Sequence, residues 1–391
     1  MKIIKILVII LLISSFFILM SYNKSLKSKQ DIMAIWVPRF DFSSSEDVSK
    51  IIKNCSNMGF TDIFFQIRGH GTIYFNSDAE PWAYELFSSD SDYINPGWDP
   101  LNTAINLSRK YNIRLHAYMN VLPGWKGLNN PPVNSEHLWN SNRDFFMVDY
   151  YGDTMKPTQG WYSFLNPSHP GVKSHLKKLI HDIMKYDIDG LHLDYIRYPY
   201  DYFDVVDQIY TNASINELRN RSDFSYDKYT INGLKEQYGR KYTKSDFREF
   251  KTSIITDLVK FITTDHKSRT NIVFSASVLA DPTIAKFYAS QDSIGWIDRF
   301  LLDWIVQMNY GSKSFNKNLK SFKKKLGRKK YNKHAVIGIY AANDNESLKK
   351  QLHKINFTNP KGTAVFSYGL LFDKHIINEK GIIIRDYIKS Y

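Results

Sequence analysis

From residue 32 onward the chain alternates short apolar runs of strand spacing with longer stretches of helical spacing. Strands are predicted at 33–39, 62–69, 114–121, 190–198, 272–278, 303–310, 335–340 and 363–370. Helices are predicted at 46–57, 100–111, 171–186, 245–266, 318–326, 346–355 and within 375–390. Gly59 closes the first helix, Asp99 caps the second and Pro170 opens the third. Eight strands alternating with helices predict an α/β chain folded as a (β/α)8 TIM barrel. The competing doubly wound sheet would carry a Gly-rich phosphate loop after its first strand, and this sequence has none there.

Two insertions, 122–169 and 200–243, follow the C-terminal ends of the third and fourth strands, where a barrel builds its active-site loops. Both are rich in polar and aromatic residues, and no low-complexity linker divides the chain. We therefore expect one catalytic domain over 31–391. Residues 1–30 read differently. Lys2 and Lys5 precede an apolar run over 6–20, followed by a basic stretch to Lys29. That is the layout of a secretory signal or an N-terminal membrane anchor. Membrane association through 6–20 and an exported barrel, secreted, periplasmic or anchored, are the expectations; oligomeric state is not readable.

A strand buried on both faces should be nearly all apolar. Several here carry polar residues two apart: Gln66 and Arg68; His116, Tyr118 and Asn120; His192 and Asp194; Ser275 and Ser277; Gln307 and Asn309. Period two puts each set on one face of its strand, here the barrel interior. Burying so many hydrogen-bonding groups costs free energy unless they meet partners. Ser275 and Ser277 suit a purely structural network. The others, converging from several strands toward one end, suit an active site.

Asp194 is the only carboxylate in the second half of a predicted strand, and Arg197 and three tyrosines follow it closely. A nearby guanidinium should keep it ionised, as a nucleophile or a stabiliser of an oxocarbenium-like transition state. Cutting a glycosidic bond usually needs a second carboxyl group. Asp281, just past the fifth strand, is the first choice for acid/base; Asp292, Asp298, Asp303, Glu80 and Glu136 stay open.

Other chemistries lack their signatures. The single cysteine, Cys55, excludes a disulfide framework and a cysteine-based zinc site. No H-x-x-x-H or H-E-x-x-H spacing supports a metal, although His70, His116 and His192 could in principle converge. No G-x-S-x-G elbow supports a serine triad, and no cofactor is expected. The net charge of +13 comes mostly from scattered lysines, densest at Lys323–Lys325 and Arg328–Lys330, read as a helix end and loop. With no nucleic-acid-binding motif, it reads as a solvated face or a general affinity for anionic surfaces, and no specific nucleic acid is expected. Trp82, Trp98, Trp125, Trp139, Trp161 and Tyr162 lie in loops; Trp125 and Trp161 are the better candidates for stacking on sugar rings.

Three stretches resemble the opening of the bacterial glycosyl-hydrolase-like 10 family: Trp36-Val37-Pro38-Arg39, Ile63 to Gly69, and Leu115 to Asn120. The segment from Tyr186 to Pro199 is its most recognisable stretch, and Gln291 to Trp296, Asp303 to Tyr310 and Asn166-Pro167 also resemble the family. The resemblance covers roughly 32–375. It implies a TIM barrel with glycoside-hydrolase activity, Asp194 as the strand-four carboxylate and Asp281 as an aspartate after strand five. The chain departs from lipoprotein members by lacking a lipid-attachment cysteine, carries Gln307 where many relatives have proline, and has a tyrosine-rich 200–243 loop.

The combined expectation is an exported glycoside hydrolase acting on a polysaccharide such as a cell-wall glycan. Asp194 and Asp281 form the catalytic pair. Arg39, Gln66, Arg68, His116, Tyr118, Asn120, His192, Arg197, Gln307, Asn309 and Tyr310 hold the substrate. The alternatives are a carbohydrate-binding barrel without turnover, or a surface assembly scaffold, which would show a large apolar patch at the mouth.

Overall fold

A computed structural model describes residues 31–87, 95–127, 132–267 and 270–390. The apolar run at 6–20 lies outside these residues; among them, no helix is long and apolar enough to cross a membrane. Eight parallel strands close into a barrel: β1 (Ile32–Val37), β2 (Asp62–Arg68), β3 (Arg114–Asn120), β4 (Gly190–Asp194), β5 (Val273–Leu279), β6 (Trp304–Met308), β7 (Ala335–Tyr340) and β8 (Gly362–Phe366). Neighbours in the chain are neighbours in the sheet, and β8 pairs with β1 to close the ring. The (β/α)8 expectation is met.

Helix ends follow the local sequence. Ser44 and Asp47 form a reciprocal capping box at the start of Ser45–Met58, and Gly59 ends that helix at φ 91°. Asp99 caps Pro100–Lys110 by accepting the Asn102 N–H. The predicted fourth strand is too long. It stops at Asp194, because Tyr195 adopts φ 50° and turns the chain out of the sheet. The basic run after Gly327 is a helix, Arg328–His334, rather than a loop.

The apolar residues form two layers. Ile32, Ala34, Trp36, Phe64, Tyr118, Trp304, Val306, Val336 and Ala364 fill the barrel interior, while a larger cluster packs the outer strand faces against the helices. Interior space is tight at Gly190, where an added Cβ would sit 2.1 Å from His116 Nδ1 and 2.8 Å from the Val273 carbonyl oxygen. Gly190→Ala should therefore destabilise the barrel by about 1–3 kcal/mol through overpacking. Denaturant unfolding would show this; an unchanged midpoint would mean that the His116 ring can move aside.

The insertion after β3 folds back as a two-stranded hairpin, Pro123–Lys126 with Tyr162–Phe164. The insertion after β4 carries short helices at Ile215–Arg221 and Lys228–Tyr238. Both rise from the C-terminal end of the barrel, hereafter the mouth.

Candidate active site

Asp194 ends β4, and Asn120 ends β3 directly opposite it in the register. Residues paired in this way point to the same side of a sheet, so the two side chains stand together at the mouth. The Asp194 carboxylate accepts the Tyr195 N–H at 2.7 Å and the Tyr118 hydroxyl at 3.2 Å. Burial nevertheless prevails. It lifts the Asp194 carboxyl above its ordinary range, although Arg197, the Tyr195 N–H and Tyr118 all favour the charged form. Arg197 thus acts in the expected direction, favouring the ionised carboxylate, and burial acts against it. Arg197 pairs directly with Asp201, at 3.3 Å, and its guanidinium lies 4.8 Å from the Tyr195 ring centre.

Around this carboxyl stand two aromatic walls. Tyr310 packs with Tyr340 and Phe366 at centroid distances of 5.6 and 5.9 Å. Burial and the nearby Asp194 charge keep the Tyr310 hydroxyl protonated. On the other side, Tyr195 packs edge-on to Tyr162 and beside Trp161. Tyr162 leads on to Arg39, whose guanidinium reaches its hydroxyl at 3.4 Å and Glu85 at 3.3 Å. The Arg39 backbone N–H donates to Gln66 Oε1, which ties the ends of β1 and β2 together. His70, stacked edge-on to Trp125, completes this wall, and burial drives its ring neutral.

Several buried polar atoms here have no hydrogen-bond partner among the described residues, Asn120 Oδ1, Arg197 Nε, His70 Nδ1 and Trp161 Nε1 among them. An unsatisfied buried polar atom costs about 1–3 kcal/mol. Of these, Asn120 stands beside Asp194 in the sheet and Arg197 follows it closely in the chain, so a hydroxyl-rich ligand at the mouth could satisfy them.

Six expected site residues do other work. Arg68 is fully buried; it grips Glu80 at 2.6 Å and donates to the Asn120, Val121 and Pro123 carbonyls, pinning loops instead of facing the mouth. His116 lies low in the barrel, bonded at 2.9 Å to Asp62 at the start of β2, and Arg114 also holds that carboxylate. His192 sits beneath Asp194 in a closed network. Trp36 Nε1 donates to its Nε2, so Nδ1 carries the proton and donates to Ser275 at 2.8 Å; Ser277 lies 2.9 Å from Nε2. The structural reading of Ser275 and Ser277 fits this geometry. On β6 the inward residues are Trp304 and Val306, so Gln307 points outward and donates to the Ala280 carbonyl. Asn309 donates to the Phe315 carbonyl and accepts from Asn318, fixing the following helix. Asp281 caps the helix Pro282–Ala289, accepting the Thr283 and Ile284 N–H groups. The three histidines do not converge, and no trio of potential metal ligands is present among the described residues.

The sequence profile described as glycosyl hydrolase-like 10 matches residues 31–357. The chain belongs to the glycosyl hydrolase-like 10 family. It is 25% identical over 206 residues to "Glycosyl hydrolase YngK" of Bacillus subtilis, covering 49% of this chain and 38% of that protein. It is 23% identical over 276 residues to "Glycosyl hydrolase DigH" of Escherichia coli K12, covering 66% of this chain and 56% of that protein. The matches thus span about half or less of these relatives' length. Among solved structures, the catalytic domain of a β-amylase from Paenibacillus polymyxa aligns with a TM-score of 0.58, covering 93% of this chain and 99% of that one at 12% identity; this likeness shows the fold.

Within this glycosyl hydrolase-like 10 barrel, sequence reasoning missed Asp201 and Glu85, noted Tyr195 only as a neighbour of Asp194, and set His70 aside. Asp201 lies on Tyr200–Asp204, a short helical turn of the inserted loop, where no strand period could single it out. Glu85 is likewise on a short turn, Tyr84–Leu86. Loop position alone gives no face, so only the fold brings these groups to the mouth.

Proposed function

We propose that the protein is an exported glycoside hydrolase that cleaves glycosidic bonds in a polysaccharide such as a cell-wall glycan. Residues 1–30 would carry the barrel out of the cytoplasm. The observation that carries this reading is the buried Asp194 carboxyl at the barrel mouth, with Asn120 and Arg197, each holding an unpartnered polar atom, and aromatic walls beside it. Tyrosine and tryptophan rings suit the C–H faces of sugars, and the amide and guanidinium groups suit their hydroxyls.

A carboxyl lifted above its ordinary range holds a proton more readily than a free aspartate, which suits it to give one to a leaving oxygen. Asp194 is thus assigned as the proton carrier, in place of the nucleophile or charge stabiliser expected from the sequence. Asp201 is assigned as the second carboxyl group in place of Asp281, whose oxygen is engaged in capping. Arg197 binds Asp201 and its charge also acts on Asp194. A carboxyl spacing of about 5–5.5 Å would retain anomeric configuration, and about 6.5–9.5 Å would invert it.

The test is product release by the purified full chain on a panel of bacterial cell-wall and capsular glycans, followed by mass. Cleavage that survives intact in Asp201→Asn, but not in Glu85→Gln, would move the second role to Glu85. The engagement of Asp281 in a helix cap also favours the reading of a binding barrel without turnover. Tight glycan binding with no product from any glycan in the panel would decide for that reading.

Tyr118 supplies a second check. Its hydroxyl stabilises the charged form of Asp194, so Tyr118→Phe should raise that carboxyl further. An acid loses activity as pH rises through its pKa. The alkaline limb of kcat/KM should therefore move to higher pH in the variant; a shift to lower pH would remove Asp194 from the acid role.

A further inference from the structure

The span from Trp304 to Asn343 holds ten lysines and arginines and no aspartate or glutamate, against a net charge of +13 for the whole chain. Its second helix, Arg328–His334, runs directly into β7. In a parallel barrel every strand starts at the same end, so this helix lies at the end opposite the mouth. Lys324, Lys325, Arg328, Lys329 and Lys333 are exposed there, and none forms an ion pair with another described residue.

Two phenylalanines flank them. Phe300, in the turn before β6, is 80% exposed and held at φ 58°; Phe357, in the helix leading to β8, is 74% exposed. The three segments are joined into one surface. Lys330 pairs with Asp298 at 2.5 Å on the Phe300 side. Tyr331 bonds Thr358 at 2.9 Å, and Lys323 donates to the Thr358 carbonyl, on the Phe357 side. Three acidic groups beside this surface are engaged, Asp298 by Lys330, Asp303 by Lys267 and Asp31 by Lys361; Glu249 and Asp292 share a pocket with Lys325 on the side of the barrel. The last pair marks where β1 enters, next to β8 and at the same end.

We propose that this end of the barrel docks on an anionic lipid bilayer, with the five free cations against headgroups and Phe300 and Phe357 in the interfacial layer. Unpaired cations interleaved with exposed aromatic rings are the chemistry of a surface-bound membrane protein. The sequence preceding β1, with its apolar run at 6–20 and Lys24, Lys27 and Lys29, joins the barrel at this same end. Docking here directs the mouth away from the bilayer. The inference is independent of the chemistry at Asp194.

The test uses the full chain, added to vesicles of phosphatidylcholine alone or with about a third phosphatidylglycerol. An amine-reactive reagent then reports each lysine by mass spectrometry, with Lys317, near the start of the helix Phe315–Leu326, as internal reference. On anionic vesicles, labelling of Lys325, Lys329 and Lys333 should slow at least fivefold relative to Lys317. High salt should restore it, and neutral vesicles should leave it unchanged. In K324Q/K325Q/R328Q/K329Q, whose changes are all exposed, Lys333 should lose its protection while the protein stays folded by circular dichroism. Equal labelling on both vesicle types overturns the proposal. So does protection by soluble polyphosphate with none from vesicles.

Discussion

Asp194→Asn is expected to reduce glycan cleavage about a thousandfold while leaving the fold intact. The amide keeps the shape of the carboxyl group and an oxygen for the Tyr195 N–H, but cannot carry a proton to the leaving group. Loss of a positioned acid typically costs about 10²–10⁴-fold. Burial already disfavours the charged carboxylate, so Asp194→Asn should unfold at the same temperature as the wild type or slightly higher. Reducing-end release and a thermal melt on the same preparation separate the two effects. Cleavage at the wild-type rate would take Asp194 out of the chemistry; a large fall in melting temperature would make it a structural group.

Glu80→Gln should be the most damaging single change for stability, at about 3–5 kcal/mol. Glu80 is fully buried between Arg68 and His175, and its removal leaves the Arg68 guanidinium without a counter-charge. Burial alone would raise the Glu80 carboxyl, but Arg68 and His175 outweigh it and hold the group down at about 2. The sign of the pH dependence follows. The folded value lies below the ordinary 4.5, so the carboxylate contributes fully above about pH 4.5. That contribution is lost progressively as pH falls toward 2. Wild-type stability should therefore drop across that window, and the Glu80→Gln protein should lack this component. Urea melts at several pH values check both claims; parallel pH profiles for the two proteins would contradict the assignment.

The barrel was legible in the sequence because strands buried on both faces give apolar runs, and the spacing of eight such runs leaves few topologies. The failures are local and physical. Tyr195-Ile196-Arg197-Tyr198 has strand-like composition, yet the left-handed turn at Tyr195 ends β4 before it. Gln307 was placed inward by counting in twos, and a one-residue error in the counting phase exchanges the faces. Trp304 and Val306 are the residues that point in. His116 and His192 do point in, but a histidine's period cannot reveal that Asp62 or Trp36 already engages one of its ring nitrogens. Asp281 shows the same limit: an aspartate just before Pro282 serves a helix cap as readily as a catalytic site. Asp194, Tyr118, Asn120 and Arg197 were readable because they crowd the last turns of adjacent strands or the residues just beyond.

Beneath Asp194 the barrel axis is closed. Trp36, Phe64, Tyr118 and His192 interlock there, with the Phe64 and His192 rings stacked at 4.0 Å. Nothing the size of a sugar can thread through the molecule or leave by the far end. Whatever reaches Asp194 arrives from one hemisphere. Under the proposed activity, each cleaved fragment would retreat along the path by which the next chain enters. Turnover would then be a matter of traffic at a single doorway, and the loops around it would set the tempo of release as well as the fit.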